Sequence, residues 1–161
     1  ENADIIKNIY LDGNEIGNHG FDHTAFNKLT DAELDNQLAM TSNYIYDITN
    51  EYPIFVRPPY GTINDAIKNN IDNPIALWSI DSNDWQNIDK ETIINNVLSE
   101  LKDGRIILFH DTKQKTLEIV KELIPKIKEQ GYSILSLEEL FEQKDISYEN
   151  NKVYSKVIKT K

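Results

Sequence analysis

The chain has 161 residues, 17 Lys and Arg against 27 Asp and Glu, and a formal net charge of -10. This length allows a sizeable core, and such acidity repels phosphate backbones, which argues against nucleic acid as a partner. There is no cysteine, so disulfides and thiolate metal sites are excluded and any bound metal must rely on His, Asp, Glu or water.

Residues 1–12 lack the basic start and continuous apolar stretch of a signal peptide, and no apolar run is long enough to span a bilayer. Residues 3–11 (ADIIKNIYL) predict a short helix ended by Asp12-Gly13. Thr30 and Glu33 form a capping box that opens a helix running to about Asn50, with Leu34, Leu38, Met40, Ile45 and Ile48 on its apolar side. Pro53 follows, and IFVR (54–57) predicts a short strand. IALWSI (75–80) predicts one continuous buried strand. A helix is expected from about Asp89 to Leu101, closed by Gly104, and RIILFH (105–110) predicts a second buried strand. Residues 114–130 predict an amphipathic helix kinked at Pro125 and stopped by Gly131. YSIL predicts a last strand, and Ser136 with Glu139 caps a last helix. We read residues 1–141 as the domain and 142–161 as a polar tail, whose stretch from Val153 to Ile158 is either a terminal strand or loose.

Strands alternating with helices predict parallel βα units, in an open sheet or a barrel, whose chemistry gathers at the C-terminal ends of strands. Three chemically distinctive residues fall there: Arg57 ends one strand, Asp81 follows another and His110 ends a third. His19 and His23, spaced i,i+4 in GNHGFDH, offer two imidazoles to a divalent metal; the plain alternative is two loop histidines. Arg57 ends a strand in FVRPPYG and could orient a carboxylate, or could be a surface arginine before a Pro-Gly turn. In DSNDW (81–85) an aspartate could pair with Arg57 or His110 and Trp85 could wall a sugar groove, against the reading of a polar turn with one core aromatic. His110, ending IILFH, is placed for general acid–base work, or sits satisfied at the core boundary, with Asp111 capping the next helix.

In this order GNEIGNHGFDH, FVRPPYG, SIDSNDW and IILFHD resemble motifs two to five of the polysaccharide deacetylases, the NodB-homology enzymes of carbohydrate esterase family four, over about residues 3–141. The resemblance implies a distorted (β/α) barrel and metal-dependent removal of N-acetyl groups, typically from N-acetylglucosamine in peptidoglycan, chitin or related polymers. It implies His19 and His23 as metal ligands and Arg57 as the residue that orients the base. Pro59 and Tyr60 would line the groove, with the Tyr60 backbone N–H on the oxyanion. Asp84 would pair with His110, the general acid, and favour its imidazolium form; Trp85 would line the pocket and Leu108 would meet the acetyl methyl. Zinc is the expected metal, with cobalt, manganese and nickel also suited to two histidines and a carboxylate. An extracellular or cell-surface location follows from the same resemblance.

Two departures stand out. The family's first motif, Thr-Phe-Asp-Asp-Gly, which carries the base and the third metal ligand, is absent; only 18 residues precede His19. The expected barrel is therefore N-terminally incomplete and the chain inactive by itself, with a separate N-terminal piece or a second copy covering the open ladder edge. Gly20 stands where the family usually has Ser or Thr, which removes a hydroxyl near the metal. The competing readings are a non-catalytic carbohydrate-binding or structural remnant, and an amidase on a small non-sugar amide.

Overall fold

In the computed structural model, which describes residues 2–159, backbone pairing is sparse and mostly parallel. Asn18 is bridged to Val56 and Val56 to Ile75; β1 (Ile75–Ala76) then pairs with β4 (Val153–Tyr154), all in parallel. Six backbone bonds of 2.8–3.0 Å knit this ladder: Asn18 N–H to Phe55, Arg57 to Asn18, Val56 to Pro74, Ala76 to Val56, Ile75 to Lys152 and Leu77 to Tyr154. A separate pair joins β2 (Ile80–Asp81) to β3 (Ile107–Leu108), also parallel, with Arg105 bridged antiparallel to Lys156.

The chain divides into two units. One takes in the residues through Leu77 together with Ser136–Tyr154, and the other Trp78–Leu135 together with the stretch from Ser155. The first unit holds α1 (Ala3–Leu11), α2 (Asp31–Thr49), α3 (Asp65–Asn69) and α6 (Leu137–Lys144), and α2 and α3 pack on a core of Phe26, Leu34, Val56, Ile67, Ile71 and Ile75. Beside it, Phe55 stacks on Phe141 at 5.8 Å, and Tyr148 and Tyr154 meet Phe141 edge-on. The Glu15 carboxylate accepts from the Leu137 N–H at 2.7 Å and the Glu138 N–H at 3.3 Å, which ties the start of α6 to the segment leading into Asn18. The second unit holds α4 (Lys90–Glu100) and α5 (Gln114–Glu129), packed on β2 through Ile80, Ile93, Ile94, Val97, Ile119, Leu123 and Ile127.

Local sequence explains the helices. Both expected capping boxes form, Thr30 with Glu33 and Ser136 with Glu139, and Asn50 closes α2 in the left-handed region at φ 62°. Asp89 caps α4 through the Thr92 N–H at 2.9 Å. The helix α5 runs unbroken through Pro125. Met40, expected on the apolar side of α2, is instead 41% exposed, while Leu34 and Ile45 are buried.

The strands are shorter than expected. IFVR contributes the single bridging residue Val56, and RIILFH pairs as a strand only at Ile107–Leu108. IALWSI is not one strand: Leu77 N–H bonds to Tyr154 whereas Ser79 N–H bonds to Ile106, and the change of partner breaks it. YSIL forms no strand; Ile134 and Leu135 are exposed and the Tyr132 hydroxyl donates to the Leu101 carbonyl at 3.3 Å instead. Asp111 does not cap α5, because the cap position falls two residues later at Lys113. Within the polar stretch 142–161, β4 and the buried Val157 are paired rather than loose.

Gly104 shows how tightly that terminal stretch returns. Its φ is +77°, its carbonyl accepts the Val157 N–H at 2.8 Å, and a Cβ on it would lie 2.0 Å from the Val157 carbonyl oxygen. Gly104→Ala should therefore cost more than the ~1–2 kcal/mol of left-handed backbone strain alone, read as a lowered urea midpoint; an unchanged midpoint would contradict this packing.

Candidate active site

The chemically distinctive side chains follow the ladder residues in both units. In the first, His19 comes directly after Asn18 and Arg57 directly after Val56. Asn18 is 1% exposed and fully engaged: its amide N–H groups donate to the Leu38 carbonyl at 2.9 Å and the Ser42 hydroxyl at 2.8 Å, and its Oδ1 accepts the Gly20 N–H at 2.9 Å. His19 Nδ1 lies 2.5 Å from the Arg57 carbonyl oxygen. A carbonyl only accepts, so Nδ1 carries the proton and Nε2 is the nitrogen with a lone pair in the neutral ring.

His23 adopts φ 63° and Tyr60 φ 61°, both in the left-handed region. Side chains rarely sit there except where the surroundings enforce it, commonly at functional sites. The rings converge: His19 and His23 centroids are 5.0 Å apart, and His23 and Tyr60 centroids 4.7 Å apart, both edge-on. A cleft of about 490 Å³ adjoins them, lined by His23, Thr24, Asn27, Lys28, Tyr60 and Thr62. Tyr60 is 70% exposed, whereas Pro59 beneath it is buried. The Arg57 guanidinium is half-buried and donates Nε–H to the Ala76 carbonyl at 3.2 Å; burial lowers its pKa, but an arginine remains a cation.

In the second unit β2 leads into Ser82-Asn83-Asp84-Trp85 and β3 into Phe109-His110. Asp84 is 1% exposed. Its Oδ1 meets His110 Nδ1 at 2.8 Å and the Ser82 hydroxyl at 3.2 Å; its Oδ2 accepts the Thr116 hydroxyl at 2.7 Å and the His110 backbone N–H at 2.9 Å. Burial alone would raise the Asp84 carboxyl, but the His110 ring, the Thr116 hydroxyl and the His110 backbone N–H outweigh it and hold the group below the usual aspartate range. The expected Asp84–His110 pair is therefore present, with the carboxylate fixing the ring through Nδ1. Trp85 is 54% exposed, and Lys113 Nζ donates to its carbonyl at 2.8 Å. Leu108 is buried at 7%. Asp81 spends its Oδ1 on the Asn83 N–H at 2.9 Å, as a turn.

Asn18, Ser82 and Thr116 were not singled out from sequence. Asn18 sits inside the histidine motif, where its burial beside a ladder is invisible to spacing, and Thr116 reaches Asp84 only across the fold.

Comparisons with known proteins decide the family. Residues 1–73 match the model for polysaccharide deacetylases. The peptidoglycan-N-acetylmuramic acid deacetylase PdaC of Bacillus subtilis is 37% identical over 83% of this chain, which spans 28% of that protein's length. A peptidoglycan-N-acetylglucosamine deacetylase of Bacillus cereus is 30% identical over 89% of this chain and 70% of its own length. The chain belongs to the polysaccharide deacetylase family. Its fold is of the α/β, (β/α)-barrel type of that family: a family 4 acetyl xylan esterase from Clostridium thermocellum, solved with a cobalt ion, superposes with a TM-score of 0.91 at 28% identity, over 97% of this chain and 78% of the other.

For a metal, the deacetylase-family chain supplies two convergent imidazoles, one with its tautomer set by a backbone carbonyl, as metal-binding histidines commonly are. Among the described residues, no group of three His, Asp or Glu side chains is gathered for such an ion. The donor set fits a metal as two ligands, short of a carboxylate.

The Asp84 network carries a pH signature. A depressed folded pKa gives stability that is complete above the ordinary aspartate value of about 3.9 and is lost as pH falls through the lower folded value. Unfolding measured from pH 2 to 6 should show that acid loss in the parent and not in Asp84→Asn. Thr116→Val should cost ~1.5–3 kcal/mol at pH 7, the range for hydrogen bonds to charged groups; identical acid limbs in parent and Asp84→Asn would contradict the assignment.

Proposed function

We propose that this chain is the greater part of a metal-dependent deacetylase domain that removes N-acetyl groups from the amino sugars of peptidoglycan or a chitin-like polymer. The observation that carries the reading is the buried Asp84 carboxylate on His110 Nδ1 at 2.8 Å, in a chain whose relatives include peptidoglycan-N-acetylglucosamine and peptidoglycan-N-acetylmuramic acid deacetylases.

His19 and His23 would hold the divalent metal, zinc in our reading, with cobalt, manganese and nickel compatible with the same donors. When bound, such an ion supplies a Lewis acid for the amide carbonyl and an activated water. The third ligand and the general base are carboxylates from outside these 161 residues, contributed by another stretch of the same protein or by a second chain. The 161 residues alone are therefore inactive. Arg57, its Nε held by the Ala76 carbonyl, would orient that base through the rest of its fork. The Tyr60 backbone N–H would donate to the developing oxyanion. His110, held by Asp84, would give a proton to the departing amine, a very poor leaving group without one. Tyr60 and Pro59 in the first unit, and Trp85 in the second, would each offer a wall to a sugar ring, and Leu108 would meet the acetyl methyl. Among the described residues no helix is long and apolar enough to cross a membrane, and a cell-wall substrate places the protein at the cell surface.

The test uses N-acetylglucosamine oligomers and peptidoglycan with the whole protein. His110→Ala in the whole protein should lose on the order of 10²–10⁴-fold in kcat, the range for general acid catalysis, with oligomer binding kept; residues 1–161 alone should show no turnover. The exposed Tyr60 and Trp85 also suit a sugar-binding module. Binding by the whole protein without turnover, unaffected by His110→Ala, would establish that role instead.

A further inference from the structure

The loop that carries the two histidines is organised by side chains rather than by ladder bonds. The Gly20 N–H goes to Asn18 Oδ1, and the Thr24 N–H to Asp22 Oδ1 at 2.9 Å. Of the N–H groups between them, those of Phe21 at 2.7 Å and Asp22 at 3.2 Å both go to a single atom, Oε1 of Gln37. Gln37 lies on α2, 14 residues beyond His23 in sequence, half-buried, and one residue before Leu38, whose carbonyl takes the Asn18 amide. Gly20 adjoins these bonds. It sits at φ +76°, and a Cβ there would stand 3.2 Å from the Phe26 ring and 3.7 Å from Gln37 Oε1.

We infer that Gln37 is a positioning residue that holds the His19–His23 loop in the conformation that brings the two imidazoles together. The part of this that concerns a metal rests on the function proposed above. The physical logic is an accounting of donors. Phe21 and Asp22 are exposed, so their N–H groups could turn to water if Oε1 were removed. The Phe21 and Asp22 peptides, which lie between His19 on the Arg57 carbonyl and His23 at a left-handed φ, would then lose the bonds that hold them to α2. A side-chain amide suits the position because its oxygen serves two donors at once. Leucine has no acceptor to offer.

The experiment uses the whole protein with zinc as the probe and two readouts: amide hydrogen exchange at Phe21 and Asp22 together with the imidazole signals of His19 and His23, and zinc affinity by competition. Gln37→Leu is expected to speed exchange at both amides, shift or broaden both imidazole signals and weaken zinc about 10–100-fold, the usual effect of losing a group that orients metal ligands. The urea midpoint should stay near that of the parent. Gln37→Glu, which keeps an acceptor oxygen at the same reach, should retain most of the protection and affinity. Should leucine disturb α2, Gln37→Ala decides by the same readouts. Unchanged exchange, imidazole signals and zinc affinity in the leucine and alanine variants would overturn the inference. If the parent binds no zinc, the metal role proposed for His19 and His23 fails by itself; lost amide protection with displaced imidazole signals then still upholds the role of Gln37, and retained protection removes it.

Discussion

The backbone bond from the Arg57 N–H to the Asn18 carbonyl, 2.8 Å long, carries the arrangement of the first unit. It is the last rung between two short extended segments, and both residues that follow it become chemical: His19 on one side, the Arg57 side chain and carbonyl on the other. Because the segments run parallel, their C-terminal ends stand together, so the Arg57 carbonyl is within reach of His19 Nδ1 at 2.5 Å. Burial makes the rung dependable. Asn18 and Val56 are each 1% exposed, and the Asn18 side chain has no water to compete for its amide. Removing this rung would free a histidine, an arginine and the loop between two left-handed residues at once.

The second unit solves its placement problem with a carboxylate instead of a rung. Asp84 is charged and buried, an arrangement that costs several kcal/mol of desolvation unless the charge is met by donors. Four donors meet it, two from His110, one from Ser82 and one from Thr116. Thr116 is on the first turn of α5 and His110 just beyond β3, so the carboxylate ties the strand end to the helix that follows. The ring of His110 is then held through Nδ1 while its side chain remains 41% exposed, the combination required of a group that exchanges protons with a ligand.

Much of this was legible in the sequence, for identifiable reasons. Helices announced themselves through local chemistry: Thr30-Glu33, Ser136-Glu139 and Asp89 act within one turn, and their bonds form as the spacing requires. The strand ends that bear Arg57, the Asp81–Trp85 segment and His110 were legible because apolar runs stop there, and His19 was legible through its i,i+4 spacing to His23. Strand lengths were not legible. An apolar run such as IALWSI reports burial, not who pairs with it, and pairing changes hands between Leu77 and Ser79. YSIL has strand-type residues and no partner strand. The supporting groups, Asn18, Gln37 and Thr116, were invisible for the same reason, since each acts on backbone or side chains 15 to 32 residues away.

The central claim is that His19 and His23 are the two imidazole ligands of a divalent metal. Crystals of the whole protein grown with zinc, with diffraction data collected on both sides of the zinc absorption edge, test it most directly. The account predicts one strong anomalous peak bonded to both histidines, with His19 coordinating through Nε2 while Nδ1 keeps the Arg57 carbonyl, and a carboxylate as third protein ligand. Zinc bound elsewhere, or a peak that touches neither imidazole, would contradict it.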